Sequence, residues 1–182
     1  HSFKQSVNTK TLVIAGLLSA IGIIIPLVIP KIYLGPGMSV TLGSHVAVMM
    51  AMFINPWIAG IVGVTTSLGF LSTGNPVIVL RAFSHLVFAI SGAFVAKKFL
   101  PKVYLSVLLN VVIAIIHAVC EALVVYVSMK FIFPEMMANL TFSFAYYVTV
   151  VVGAITLAHS AIDFTIAYAI YRPLNKFHLL GQ

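Results

Sequence analysis

Apolar residues in this chain come in long runs, separated by proline, glycine, asparagine and charge. Six runs stand out, at about 11–29, 44–54, 57–71, 77–96, 104–133 and 144–171. A helix that crosses a bilayer needs roughly 20 mostly apolar residues, so most of these runs predict membrane helices. The run 44–54 is short for a span, and predicts a helix that is either continued by loop residues or partly re-entrant. Between the first two runs lie Pro30, Gly35, Pro36, Gly37 and Gly43, too many breakers for a helix, which predicts a sizeable loop. Asn55-Pro56-Trp57 predicts a tight turn with its tryptophan at the membrane interface. The expectation is an all-α integral membrane protein, one domain over 1–182 with six transmembrane helices.

Composition supports the membrane reading. Hydrophobic residues make up 62% of the 182 and charged residues 7%, and the mean hydropathy is +1.16, outside the range of soluble domains. A net charge of +7 would suggest nucleic acid in a soluble chain; here the basic residues fall at the ends of apolar runs, and no nucleic-acid partner is expected. Lys4, Lys10, Lys97, Lys98, Lys102, Arg172 and Lys176 fall on one set of ends, against Lys31 and Lys130 on the other. The positive-inside rule then puts both termini in the cytoplasm of a multi-pass plasma-membrane protein, with the loops around residues 35, 74 and 138 facing outward. The first run continues into the proline-rich loop without a cleavage-site pattern, so no signal peptide is expected.

The tenth basic residue, Arg81, lies inside the fourth run, four residues before His85. Residues at i and i+4 share a helix face, and cations at membrane depth call for a polar partner or a water-lined cavity. Five residues after Pro76, Arg81 falls roughly 7 to 8 Å below the start of its helix. Two further pairs have the same spacing: His117 with Glu121, and His159 with Asp163. The topology puts Glu121 in the outer half of the fifth helix, His117 near the midplane and His45 at the outer surface. Arg81, His85, His45, His117 and Glu121 are expected to converge beneath the first loop, with an Arg81–Glu121 ion pair as the structural alternative. His159 and Asp163 are expected in the inner half of the sixth helix, in a packing role. Tyr33, Phe70, Phe83, Phe88, Tyr146 and Tyr147 are candidates for stacking on a ligand ring, with lipid anchoring the competing reading.

Enzyme signatures are absent. The chain has no H-E-x-x-H, no G-x-S-x-G and no phosphate-binding P-loop. With three acidic residues a carboxylate metal site is not expected, and the single Cys120 supports neither a disulfide nor a thiol metal site. No cofactor is expected. Ala15, Gly16, Ser19 and Ala20 form overlapping small-xxx-small patterns on the first helix, which permit close helix contact within the chain or with another protein.

Four stretches together resemble the substrate-binding S components of energy-coupling factor vitamin transporters. They are Ala15 to Ala20 in a first helix ending in Pro26 and Pro30, the loop from Pro36 to His45, the turn Ala51 to Pro56, and Leu80-Arg81-Ala82-Phe83-Ser84-His85. The resemblance covers essentially the whole chain in length, span number and loop placement. It implies a six-helix fold in which outward loop 1 lids a vitamin site. It also implies partners, namely a transmembrane coupling protein contacted through Ala15, Gly16, Ser19 and Ala20, and two cytoplasmic ATPases. Hydrolysis would then occur in the partners, and this chain would not be an enzyme. An arginine among histidines favours a carboxylate vitamin such as niacin or pantothenate. Glu121 would instead suit pyridoxine or a hydroxymethylpyrimidine. A stand-alone secondary transporter is the competing class, although the two halves show no repeat.

Overall fold

The computed structural model describes residues 9–177 and 179–180. Lys4, part of the charge count above, lies outside them. Six helices run in chain order: α1 (Thr9–Val28), α2 (Val46–Ile54), α3 (Pro56–Thr73), α4 (Pro76–Phe99), α5 (Val103–Ile132) and α6 (Phe144–Lys176). All but α2 are long and apolar enough to cross a membrane. Their outward side chains, among them Leu17, Leu27, Phe94, Val107 and Leu123, are more than half exposed and apolar, as lipid contact requires.

Two Asn-Pro pairs start helices. Asn55 Oδ1 accepts the Ile58 amide at 2.9 Å, and Asn75 Oδ1 accepts those of Val77 and Ile78 at 3.0 and 3.3 Å. Each following proline takes the first helical position, where its missing N–H is not needed.

The nine residues of α2 are apolar on every side, and all nine are buried. A helix without a polar face belongs in the middle, and α2 packs against α1, α3, α4 and α6. At roughly 1.5 Å per residue it is about 13 Å long, under half a bilayer core. The chain therefore enters the bundle before α2 begins. This corrects the expectation for His45, which is buried in the bundle interior at 6% exposure and not at the outer surface. The approach to it is a short antiparallel hairpin, β1 (Ile32–Gly35) and β2 (Met38–Val40), followed by turns through residues 41–45.

The hairpin tip is Pro36-Gly37. Gly37 has φ +73°, a value that the third position of a type II turn requires and that side chains disfavour. A Cβ there would also strike the Val77 side chain. Tyr147 closes the other side: its hydroxyl donates to the Pro36 carbonyl at 2.6 Å, and its ring lies against Gly35. Tyr147 opens an eight-residue π-helical stretch, Tyr147–Ala154, within α6. Such wide turns favour functional sites, because they re-aim the side chains that follow.

Gly37→Ala is expected to lower stability by about 1–2 kcal/mol, the cost of a left-handed conformation, plus the clash with Val77. A thermal melt would show it, and an unchanged midpoint would mean that the hairpin tip is not held as described.

Candidate binding site

Two buried carboxylates organise the interior beneath the hairpin. Glu121 on α5 is 2% exposed, and both of its oxygens are engaged. Its Oε2 accepts from Arg81 Nη2 and from Thr156 Oγ1, each at 2.6 Å. Its Oε1 accepts from His85 Nε2 at 2.9 Å and lies 3.3 Å from His117 Nε2. Arg81 and His85 share one face of α4, and His117 and Glu121 one face of α5, so the i,i+4 spacing read in the sequence brings the two helices into register here. Arg81 also reaches the hairpin, where its Nη1 donates to the Gly37 carbonyl at 3.0 Å.

The second carboxylate is Asp163 on α6, fully buried. Its Oδ1 accepts the Gly43 amide at 2.8 Å, and its Oδ2 accepts both the His45 amide and His45 Nδ1 at 3.0 Å. These amides lead into α2, whose own N-cap residue supplies no side-chain bond. Asp163 thus caps the helix from a neighbouring element, placing a negative charge at the positive end of its dipole. His159, one turn earlier, has its Nε2 3.3 Å from Ser44 Oγ and 3.4 Å from Asp163 Oδ2.

His45 joins the two halves. Its ring centroid is 4.6 Å from those of His85 and His117 and 4.9 Å from that of His159, all edge to face. Phe88 closes the floor at 4.7 Å from the His117 ring. Against this cluster lies a cavity of about 30 Å³, bordered by Ser39, Thr41, Phe70, Arg81 and Glu121. That is room for roughly one water, where sites for drug-sized ligands measure about 300–1,000 Å³.

Arg81, His85, His45, His117 and Glu121 therefore do meet. Tyr147 stands apart from them, as the clasp on the hairpin. His159 and Asp163, expected in the inner half of the sixth helix in a packing role, adjoin the same cluster, and the bonds from Asp163 to the Gly43 and His45 amides are structural. Three imidazoles and one carboxylate, those of His45, His85, His117 and Glu121, bring ligand atoms within 4.8 Å of one another. Thr156 and Ser44 carried no sequence signal beyond one residue type at one position. Of the stacking candidates, Phe70 borders the cavity and Phe88 packs on His117, whereas Tyr33 and Tyr146 are exposed.

On α1, Ala15 and Ser19 face inward at 3% and 9% exposure, and Ser19 Oγ accepts a hydrogen bond from Thr65 at 2.7 Å. They are not available to a partner, which corrects half of the expected contact. Gly16 and Ala20 lie on the exposed face, and a Cβ on Gly16 would meet nothing within 4 Å.

A helical membrane protein that buries a charged and imidazole-rich cluster under a clasped loop, with no catalytic motif, has the build of a small-molecule carrier. Comparison with known proteins narrows the class. The chain is 38% identical over 179 residues to a niacin transporter, NiaX, of Lactococcus lactis subsp. cremoris, an alignment covering 94% of this chain and 78% of that protein. No family model matches the chain. No solved structure matches it either. The chain belongs to the substrate-binding S components of energy-coupling factor vitamin transporters, and is a multi-pass plasma-membrane transport protein, not an enzyme.

Asp163→Ala is expected to cost about 1–3 kcal/mol, because it leaves buried donors without acceptors. Hydrogen exchange should then speed up at the Gly43 and His45 amides before it does elsewhere. Unaltered protection at those two amides would remove Asp163 as the cap of α2.

Proposed function

We propose that this chain captures nicotinate from outside the cell and hands it inward through an ATP-driven coupling module. The observation that carries the reading is the guanidinium of Arg81, which gives Glu121 one terminal nitrogen and spends the other on the Gly37 carbonyl of the lid. Its Nε is buried and has no hydrogen-bond partner among the described residues. Lifting the hairpin frees Nη1, which can then donate a charge-assisted hydrogen bond to an entering carboxylate. The cavity is too small for a vitamin while the hairpin is down, so lid movement is a condition of entry. The Lactococcus relative is a niacin transporter, which supports niacin over pantothenate. A flat pyridine ring would lie between Phe70 and the imidazoles.

In this reading there are six crossings, the second made by residues 41–45 and α2 together. Both termini are cytoplasmic, with Lys97, Lys98 and Lys102 on the same side. A transmembrane coupling protein and two ATPase subunits complete the importer, and the coupling protein docks on the open face of α1 at Gly16 and Ala20.

Nicotinate is expected to raise the thermal midpoint of the purified protein more than pantothenate or pyridoxine does. A response to pyridoxine alone would transfer the site to a ligand read by Glu121. Arg81→Ala should weaken nicotinate binding about 10- to 100-fold, the worth of roughly 1.5–3 kcal/mol for a hydrogen bond to a charged group. Because that variant also strands Glu121, Arg81→Lys serves beside it: it keeps the charge, loses the planar set of donors that reaches Glu121 and Gly37 together and should bind more weakly than the parent. Calorimetric titrations giving the parent's affinity for both variants would take Arg81 out of the site.

Gly16→Leu combined with Ala20→Leu should leave nicotinate binding intact and reduce co-purification with the coupling protein. Full recovery of the complex would place the contact elsewhere.

A further inference from the structure

We propose that His45, His85, His117 and Glu121 form a site for a divalent transition-metal ion of the zinc type. Each offers one ligand atom, and the four atoms all lie within 4.8 Å of one another. They come from three different elements, the start of α2, α4 and α5, so the convergence is tertiary and not a by-product of helical spacing.

The supporting geometry is that of a metal centre. His45 donates its Nδ1 hydrogen to the Asp163 carboxylate, which leaves Nε2 as a lone pair. Carboxylate-held imidazoles of this kind are the usual second layer around a bound metal. His117 is fully buried; its Nδ1 has no hydrogen-bond partner among the described residues, and its Nε2 has only the Glu121 carboxylate, 3.3 Å away and outside good hydrogen-bond geometry. An imidazole so weakly satisfied in an apolar interior is costly, and coordination would engage one of its nitrogens fully. Three nitrogens and one oxygen make a ligand set that suits zinc and its neighbours better than magnesium or calcium.

Charge points the same way. Setting the imidazoles aside, the described cluster holds one cation, Arg81, against two carboxylates, Glu121 and Asp163. A divalent ion reverses that deficit. Tetrahedral coordination at about 2.1 Å sets ligand atoms about 3.4 Å apart, so from separations within 4.8 Å the most separated pair must close by at most about 1.4 Å, a movement that two side chains share. The contact given up is the hydrogen bond between His85 and Glu121, 2.9 Å long. The site does not depend on which vitamin the protein carries.

The test uses the full chain in detergent, stripped with a chelator and then titrated with Zn²⁺ or Co²⁺. One equivalent of zinc should survive desalting, and Co²⁺ should give tetrahedral absorption bands. His117→Ala and His85→Ala should each weaken uptake at least ten-fold, and Asp163→Asn should weaken it by about 10- to 100-fold through its hold on His45. A form without His1 and with His178→Ala should keep the metal, as should Cys120→Ala. Uptake well below one equivalent in the parent chain, or uptake unaffected by the loss of both His85 and His117, would overturn the site. Where a histidine variant fails to fold, the parent's cobalt spectrum decides: octahedral, water-like bands overturn the proposal. Parallel nicotinate titrations keep the two readings apart, since zinc uptake without nicotinate binding upholds the metal site and removes the vitamin assignment, and the converse result does the reverse.

Discussion

The carboxylate of Glu121 holds this molecule's interior together. A lone charge at membrane depth costs several kcal/mol, and the penalty falls only when the group is paired and its lone pairs are filled. Glu121 meets both conditions by drawing on three helices at once: Arg81 and His85 from α4, Thr156 from α6, and its own neighbour His117 on α5. Among apolar helices that would otherwise slide freely against one another in lipid, this contact selects one arrangement. A hydrophobic replacement of the pair would pack as well, but it would not specify which faces of α4, α5 and α6 meet.

Asp163 does for α2 what Glu121 does for the long helices. A nine-residue helix is too short to persist by its own propensity, and this one has no cap of its own. Its stability comes from complete apolar burial and from the trans-cap on Gly43 and His45. That cap is also why the polar cluster is continuous. Once Asp163 has drawn the start of α2 into the bundle, His45 arrives between His85, His117 and His159, and the groups on α4, α5 and α6 become one site.

Much of this was legible in the residues, and the failures share one cause. Apolar runs and Asn-Pro breaks gave the helices, because lipid demands internal satisfaction of every backbone group and leaves few alternatives. The spacing of Arg81 with His85, and of His117 with Glu121, gave the heart of the site, because both pairs sit on regular helix. Depth was where the reading failed. Nothing in residues 30–45 announces that the chain dives before α2 begins, and nothing in 144–154 announces a π-helical stretch. Both are tertiary choices: the first follows from the Asp163 cap, and the second aims Tyr147 at the hairpin. His45 was therefore placed too high, and His159 and Asp163 were not linked to the cluster that they adjoin. Ala15 and Ser19 show the same limit on a smaller scale. A small-residue pattern says that something comes close, and only packing tells that α3 takes one face of α1 and leaves Gly16 and Ala20 open.

The hairpin and the cluster are linked through a single side chain. Arg81 is shared between Glu121, which is permanent, and the Gly37 carbonyl, which belongs to the hairpin. A backbone carbonyl is a neutral acceptor, whereas a carboxylate adds the attraction of its negative charge to the guanidinium. Under the proposed function an entering carboxylate would compete with the hairpin for the same nitrogen. Tyr147, bonded to Pro36 one residue away, keeps a second hold on the tip, so displacement at Gly37 need not release the hairpin altogether. Exchange at one contact while the other persists lets a loop admit a ligand and then close again over it. On this view Gly35 and Gly37 serve the site as much as Arg81 does, because a side chain at either would push the tip away from the two groups that grip it.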